Sequence, residues 1–209
     1  MKAIYYILFL LMTVSVFAQE KMKPIASLST FQERLKKEGA RIHSIESEFT
    51  QEKYVDIFNE KIISKGHFYY KEPDKIRMEY NTPQAYLIII NGDKLNIAFE
   101  EYNNTLDLGS NQMMNELKDM ISACMTGDFT AISSAYTLDY FETSSLYVVK
   151  IIPESDGLKE SIFEITVSLD KKDMSVQRLH LAESTTDYTE FVFTNRKYNT
   201  LNNIDLFSY

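Results

Sequence analysis

The 209-residue sequence sets 22 lysines and arginines against 30 aspartates and glutamates, a net charge of −8, which excludes the basic footprint of a nucleic-acid binder. Hydrophobic residues make up 44%, enough for one sizeable core. The single cysteine, Cys124, excludes an internal disulfide, and its apolar setting (MISACMTG) marks a packing residue and not a reactive thiol.

The chain opens MKAIYYILFLLMTVSVFAQE. Lys2, an apolar run from Ala3 to Phe17 and the Val16-Phe17-Ala18 step predict a secretory signal peptide over residues 1–18, cleaved after Ala18. The run is shorter than the roughly 20 residues a bilayer demands, and Gln19-Glu20-Lys21 follows directly. Gln19 stands where a lipid-anchored product needs cysteine, so the expected mature protein is soluble and comprises one domain, residues 19–209.

A short helix is predicted next. Ser29 with Gln32 and Thr30 with Glu33 have capping-box spacing, Phe31 and Leu35 form an apolar stripe, and Gly39 is the expected stop. From Ile42 to Leu108 the pattern is strand after strand. In KIRMEY, Ile76, Met78 and Tyr80 alternate with Arg77 and Glu79, the period of a half-buried strand. Pro73 and Pro83 fall at strand ends, and Asn91-Gly92 between AYLIII and DKLNIAF is a hairpin signal.

The stretch SNQMMNELKDMISACMTGD then repeats apolar residues at three- and four-residue steps. It predicts an amphipathic helix near residues 111–125, capped by Ser110 and ended by Gly127, with Asn115, Glu116, Lys118 and Asp119 facing water. YTLDYFE, SLYVVKII, SIFEITVSLD, SVQRLHLAE and YTEFVFTN bring the expected total to about ten strands. In SIFEITVSLD, Phe163, Ile165, Val167 and Leu169 share one face. Two substantial helices without βαβ alternation give an α+β class, an antiparallel sheet with helices on one side.

The order FTQEK (Phe49 to Lys53), KGHFYYKEPDKIRMEYNTP, IIINGDKL and the closing TTDYTEFVFTNRKYNTLNNIDLFSY, with Asn199 and Phe207 near its end, resembles the periplasmic outer-membrane lipoprotein carrier proteins, the LolA family. The resemblance spans nearly the whole mature chain. It implies a strongly curved antiparallel sheet forming an unclosed half β-barrel, covered on its open side by helices. It also implies a periplasmic, monomeric carrier that shields lipoprotein acyl chains in an apolar cavity. Cargo would come from an inner-membrane exporter and go to an outer-membrane acceptor, with no cofactor and no chemistry. The alternative use of the same scaffold is a periplasmic lipid sensor or interaction module.

Period-2 placement together with the family's arrangement puts Phe49, Phe68, Tyr70, Met78, Tyr80, Ile88 and Ile90 on the cavity wall. The 111–125 helix, with Met113, Leu117, Met120 and Ile121, is the expected lid, and its methionines suit adaptable packing. The family's lid-contacting arginine precedes the first proline. Here that residue is Glu72, which leaves Lys71, Lys75 and Arg77 as stand-ins. There is no G-x-S-x-G elbow, H-E-x-x-H motif or P-loop, and His43, His67 and His180 are far apart, so neither catalytic nor metal-binding residues are expected.

Overall fold

The computed structural model describes residues 21–208 except 111, 128, 133 and 204, and at 113, 117, 130 and 131 the backbone alone. The predicted signal peptide lies outside the described residues. Twelve strands are described: β1 (Lys23–Pro24), β2 (Ser44–Val55), β3 (Glu60–Lys71), β4 (Lys75–Thr82), β5 (Tyr86–Asn91), β6 (Lys94–Phe99), β7 (Tyr102–Asp107), β8 (Tyr136–Glu142), β9 (Leu146–Pro153), β10 (Glu164–Asp170), β11 (Val176–Ala182) and β12 (Tyr188–Tyr198). They form one sheet in the order β1-β8-β9-β10-β11-β12-β2-β3-β4-β5-β6-β7, antiparallel throughout. The helices are α1 (Leu28–Gly39), α2 (Gln112–Thr126) and the one-turn α3 (Asp156–Lys159).

The strands above the expected ten include β1, two residues long, and β7, whose polar and almost fully exposed YNNTLD shows no alternation. The first helix starts earlier than its capping-box spacing suggests. Its N-cap is Ser27, whose hydroxyl meets the Thr30 hydroxyl at 2.8 Å and caps no backbone group. Ser110 likewise donates to the Asp107 carbonyl (3.0 Å), closing the turn after β7. β10 begins only at Glu164, so Phe163 precedes the strand and is 61% exposed instead of joining Ile165 in the core.

β5 and β6 join through Gly92-Asp93, and Gly127 ends α2 with its N–H on the Ala123 carbonyl (2.7 Å). The register fixes which side chains share a face. Phe49 of β2 lies opposite Gly66 of β3, and Gly66 opposite Tyr80 of β4. A Cβ at Gly66 would sit 1.9 Å from the Glu79 carbonyl oxygen and 2.9 Å from the Phe49 ring. Without one, the Phe49 and Tyr80 rings close over the glycine at 4.9 Å, edge to face. Phe191 joins on one side (5.8 Å from Phe49) and Tyr86 stacks on the other (3.9 Å from Tyr80). The aromatic wealth of this region is thus a belt of rings running across β12, β2, β4 and β5.

The last residues bind the outer face. Asn199 (φ +59°) accepts from the His43 and Ser44 N–H groups on Oδ1 (2.8 and 3.2 Å) and donates from Nδ2 to the Arg41 carbonyl (2.8 Å). Beyond it, Lys71, Arg77 and Asn91 donate to the carbonyls of Leu201 (3.4 Å), Leu206 (2.8 Å) and Phe207 (3.3 Å). These three side chains alternate with Tyr70, Ile76 and Ile90, so the tail lies on the face opposite the main core. A 3-10 turn (Asp205–Phe207) packs there on β4 and β5, which accounts for the full burial of Phe207 and Ile89.

Candidate lipid-binding site and lid

Every sheet residue proposed from sequence for the cavity wall falls on one face. Phe68 pairs with Met78 and Met78 with Ile88, Tyr70 pairs with Ile76 and Ile76 with Ile90, and Phe49 and Tyr80 flank Gly66. Phe49, Phe68, Tyr70, Tyr80 and Ile90 are buried, whereas Met78 and Ile88 are half-buried. Continuing the parity across the sheet adds Ile97, Leu138, Leu181, Phe191 and Tyr86 to the half-buried set, all packed against the core. The face therefore has a closed floor beneath the helices and an apolar margin that water reaches. Sequence reasoning missed this margin, although counting in twos from Phe49 through the strand pairs finds it.

On α2, Met120, Ala123, Cys124 and Met125 are buried, with Met114 and Ile121 half-buried against the core. The side chains of Met113 and Leu117 are outside the described set. At the C-terminal end of α2, a small, partly open cavity lined by Ile45, Ser47, Phe68, Met125 and Phe193 measures about 20 Å³. That is room for about one water. Ligand pockets for drug-sized molecules run from about 300 to 1,000 Å³. That cavity therefore admits an acyl chain only if a helix moves, whereas an open groove of about 470 Å³ lies between α2 and the β3–β4 turn at Tyr70, Pro73, Lys118, Ala123 and Thr126.

Glu116 and Lys118, expected to face water, instead hold α2 in place. Lys118 Nζ donates to Asp93 in the β5–β6 turn (3.0 Å), with its side chain only 11% exposed. The Tyr136 hydroxyl donates to the Glu116 carbonyl (3.1 Å), and the Ser155 hydroxyl to the Glu116 carboxylate (2.7 Å). Tyr136 begins β8 and Ser155 follows β9, eight and seven strand spacings from β5 along the sheet. Flat, the longer distance is about 40 Å. One helix reaches both flanks from residues two apart, so the sheet curls through most of a turn while β1 and β7 stay unpaired with each other.

The stand-ins for the family's basic latch point elsewhere. Lys71 and Arg77 hold the outer tail, and no hydrogen bond or ion pair is described for Lys75. The contact described for the Glu72 carboxylate is with His43 Nδ1 (2.7 Å). The ion pair that ties α2 to the sheet has its cation on the helix, at Lys118, and its carboxylate in the β5–β6 turn, at Asp93. A second contact is steric. α1 and α2 end against each other, and a Cβ on Gly39 would sit 1.9 Å from the Thr126 carbonyl oxygen.

Cys124 makes a built-in probe of this lid. It is fully buried, and burial pushes its thiol pKa far up, so alkylation requires α2 to lift. Lys118→Met removes a partly buried pair worth about 1 kcal/mol at most. The expected result is iodoacetamide labelling of Cys124 a few-fold faster with little change in melting temperature; an unchanged rate would show that the pair does not hold the lid.

The histidines do not assemble. His43 meets Glu72, His67 meets Asn81 (3.3 Å) and the His180 ring lies tilted against Tyr188 (5.1 Å) on another strand pair. Among the described residues, no group of three His, Cys, Asp or Glu side chains could hold a metal, and no helix is long and apolar enough to cross a membrane.

Comparison with known proteins agrees with this architecture. Among solved structures, MucB superposes with a TM-score of 0.50 at 13% identity over 90% of this chain, which spans 64% of MucB's length. A conserved protein from Thermus thermophilus gives 0.50 at 9% identity, covering 88% of this chain and 94% of that one. A LolA superfamily protein from Nitrosomonas europaea gives 0.47 at 8% identity, covering 88% and 99%. No curated protein matches the sequence. The family described as outer membrane lipoprotein carrier protein LolA matches residues 40–209, the whole sheet from β2 to β12 with α2 and the C-terminal strap, and the chain belongs to that family.

Proposed function

We propose that the protein is a periplasmic carrier, exported by cleavage after Ala18, that shields the acyl chains of lipoproteins between an inner-membrane exporter and an outer-membrane acceptor. It acts by binding alone, as a single domain over residues 19–209. The observation that carries this reading is the apolar inner face of the curved sheet, packed at its floor, open at the margin formed by Met78, Tyr86, Ile88, Ile97, Leu181 and Phe191, and covered by a helix that polar contacts tie to both flanks. An ordinary core has no reason to leave that many large apolar side chains at a water-accessible edge beside a detachable helix. Each acyl methylene withdrawn from water contributes about 0.8 kcal/mol, so a modest opening of the lid is readily offset by cargo.

The test is twofold. Purified protein added to spheroplasts releases acylated lipoprotein into the soluble fraction if it is a carrier. A scaffold that only senses lipid binds acyl probes without that release. Met78→Glu places a carboxylate at the centre of the margin, where partial desolvation of the charge costs more than about 1.4 kcal/mol, or tenfold in affinity. A folded Met78→Glu protein is expected to lose fluorescent acyl-probe binding by at least about that factor. Undiminished binding would place the lipid elsewhere.

A further inference from the structure

Besides the buried Ser47 hydroxyl, a larger polar patch interrupts the apolar inner face near its margin. β2 pairs with β3 without a register shift from Ser44 to Val55, so Ile45, Ser47, Phe49, Gln51 and Lys53 all point inward. Lys53 lies opposite Thr189 of β12, and Gln51 opposite Phe191 of β12 and Ser64 of β3. Lys53 Nζ donates to both carboxylate oxygens of Glu183 (3.2 and 3.1 Å), and the Thr189 hydroxyl donates to Glu183 Oε1 at 2.6 Å. The Gln51 Oε1 is buried and has no hydrogen-bond partner among the described residues.

Such an arrangement is unfavourable for a core. An unpaired buried acceptor costs about 1–3 kcal/mol, and leucine at position 51 would avoid it. An ammonium has three N–H groups. Two of those on Lys53 go to Glu183, which leaves one for a further acceptor on a side chain that is 39% exposed. Residues 51 and 53 are about 6.7 Å apart along the strand. The patch thus offers one acceptor and one donor on the same face, beside the half-buried Phe191 and Leu181 of the open margin.

We propose that Gln51 and Lys53 form a head-group site for the amide that joins an acyl chain to its carrier. The amide N–H donates to Gln51 Oε1, an amide or neighbouring carbonyl accepts from Lys53, and the chain runs along Phe191 and Leu181 onto the apolar floor. Glu183 holds the Lys53 ammonium in place and repels a free carboxylate. The site therefore selects amide-linked acyl chains over esters, which lack the N–H, and over fatty acids, which bring a second negative charge. This assignment rests on the carrier reading above.

The test compares a palmitoylated pentapeptide amide, N-palmitoylglycinamide and methyl palmitate on the mature protein. Wild type is expected to hold the amide-linked probes about tenfold more tightly than the ester. Gln51→Leu, which removes the acceptor of the amide N–H, is expected to bring the ratio within about twofold, whereas the double change Lys53→Met with Glu183→Gln, which leaves no unpaired carboxylate, removes the donor that either carbonyl can use and is expected to weaken amide and ester probes alike. If the double variant melts early, Gln51→Leu alone decides. Tighter retention of the pentapeptide assigns an acylated polypeptide, and equal retention of the two amides a small N-acyl lipid. A wild-type ratio near one, or a ratio that survives Gln51→Leu, overturns the head-group site while leaving the carrier intact. Failure of every probe to bind wild type overturns both.

Discussion

Phe207→Ala is expected to remove about 3–5 kcal/mol of stability, the largest loss from any single change considered, although the residue is third from the end of the chain. Its ring is fully buried on the outer face of the sheet, with Ile89 equally buried on β5 beside it. Truncation leaves a cavity that a two-layer contact of one turn on two strands cannot refill. It also loosens the carbonyl acceptors of Arg77 and Asn91, whose donors would then need water. Urea denaturation gives the loss directly, and chymotrypsin should cut the freed tail near Leu201 and Leu206 under native conditions. A shift below about 1 kcal/mol would reduce the strap to an ornament of the fold.

Gly39→Ala is the second large effect, and two terms oppose each other. Alanine favours a helix over glycine by about 1 kcal/mol in a helix interior, and by less at the last residue, where Gly39 sits. Against that, the new Cβ would stand 1.9 Å from the Thr126 carbonyl oxygen, a backbone atom that moves only if the end of α2 moves. Overpacking of this kind costs about 1–3 kcal/mol, so the clash prevails. Because the displaced element is α2, the result should be selective: Cys124 alkylation about tenfold faster, with the β2–β3–β4 core protected from hydrogen exchange as before. Slower alkylation with a higher melting temperature would mean that the two helix ends yield easily and the helix preference decides.

Much of this molecule was legible because its signals are local. Alternation in KIRMEY and YTLDYFE, the three-and-four spacing of the methionine helix and the glycine at its end depend on neighbours a few residues apart, and α2 runs within one residue of its expected bounds. The asparagine and phenylalanine of the closing motif were visible as a pattern, but their work was not. Asn199 clasps the start of β2 from more than 150 residues away, and Phe207 plugs a face that alternation alone assigns to solvent. The lid's fastening was hidden for the same reason. Glu116 and Lys118 have the spacing of an exposed helix face, and only the curl of the sheet brings Asp93, Tyr136 and Ser155 to meet them. Ser27 displaced two better-looking caps because the helix begins where the chain leaves β1, not where capping-box spacing is best satisfied.

The double anchorage of α2 has a mechanical corollary. Glu116 and Lys118 fasten one rod to the two flanks of an open ring whose end strands do not pair. Such a rod acts as a tie in tension that sets the ring's girth, and on the carrier reading it bars the entrance as well. Releasing it lets the gap widen through small changes in twist spread over twelve strands, with no hinge needed at any one of them. Access and capacity are then a single degree of freedom. If the protein is the carrier proposed above, stiffness in the tie, more than the size of any resting void, sets the bulkiest passenger the ring admits.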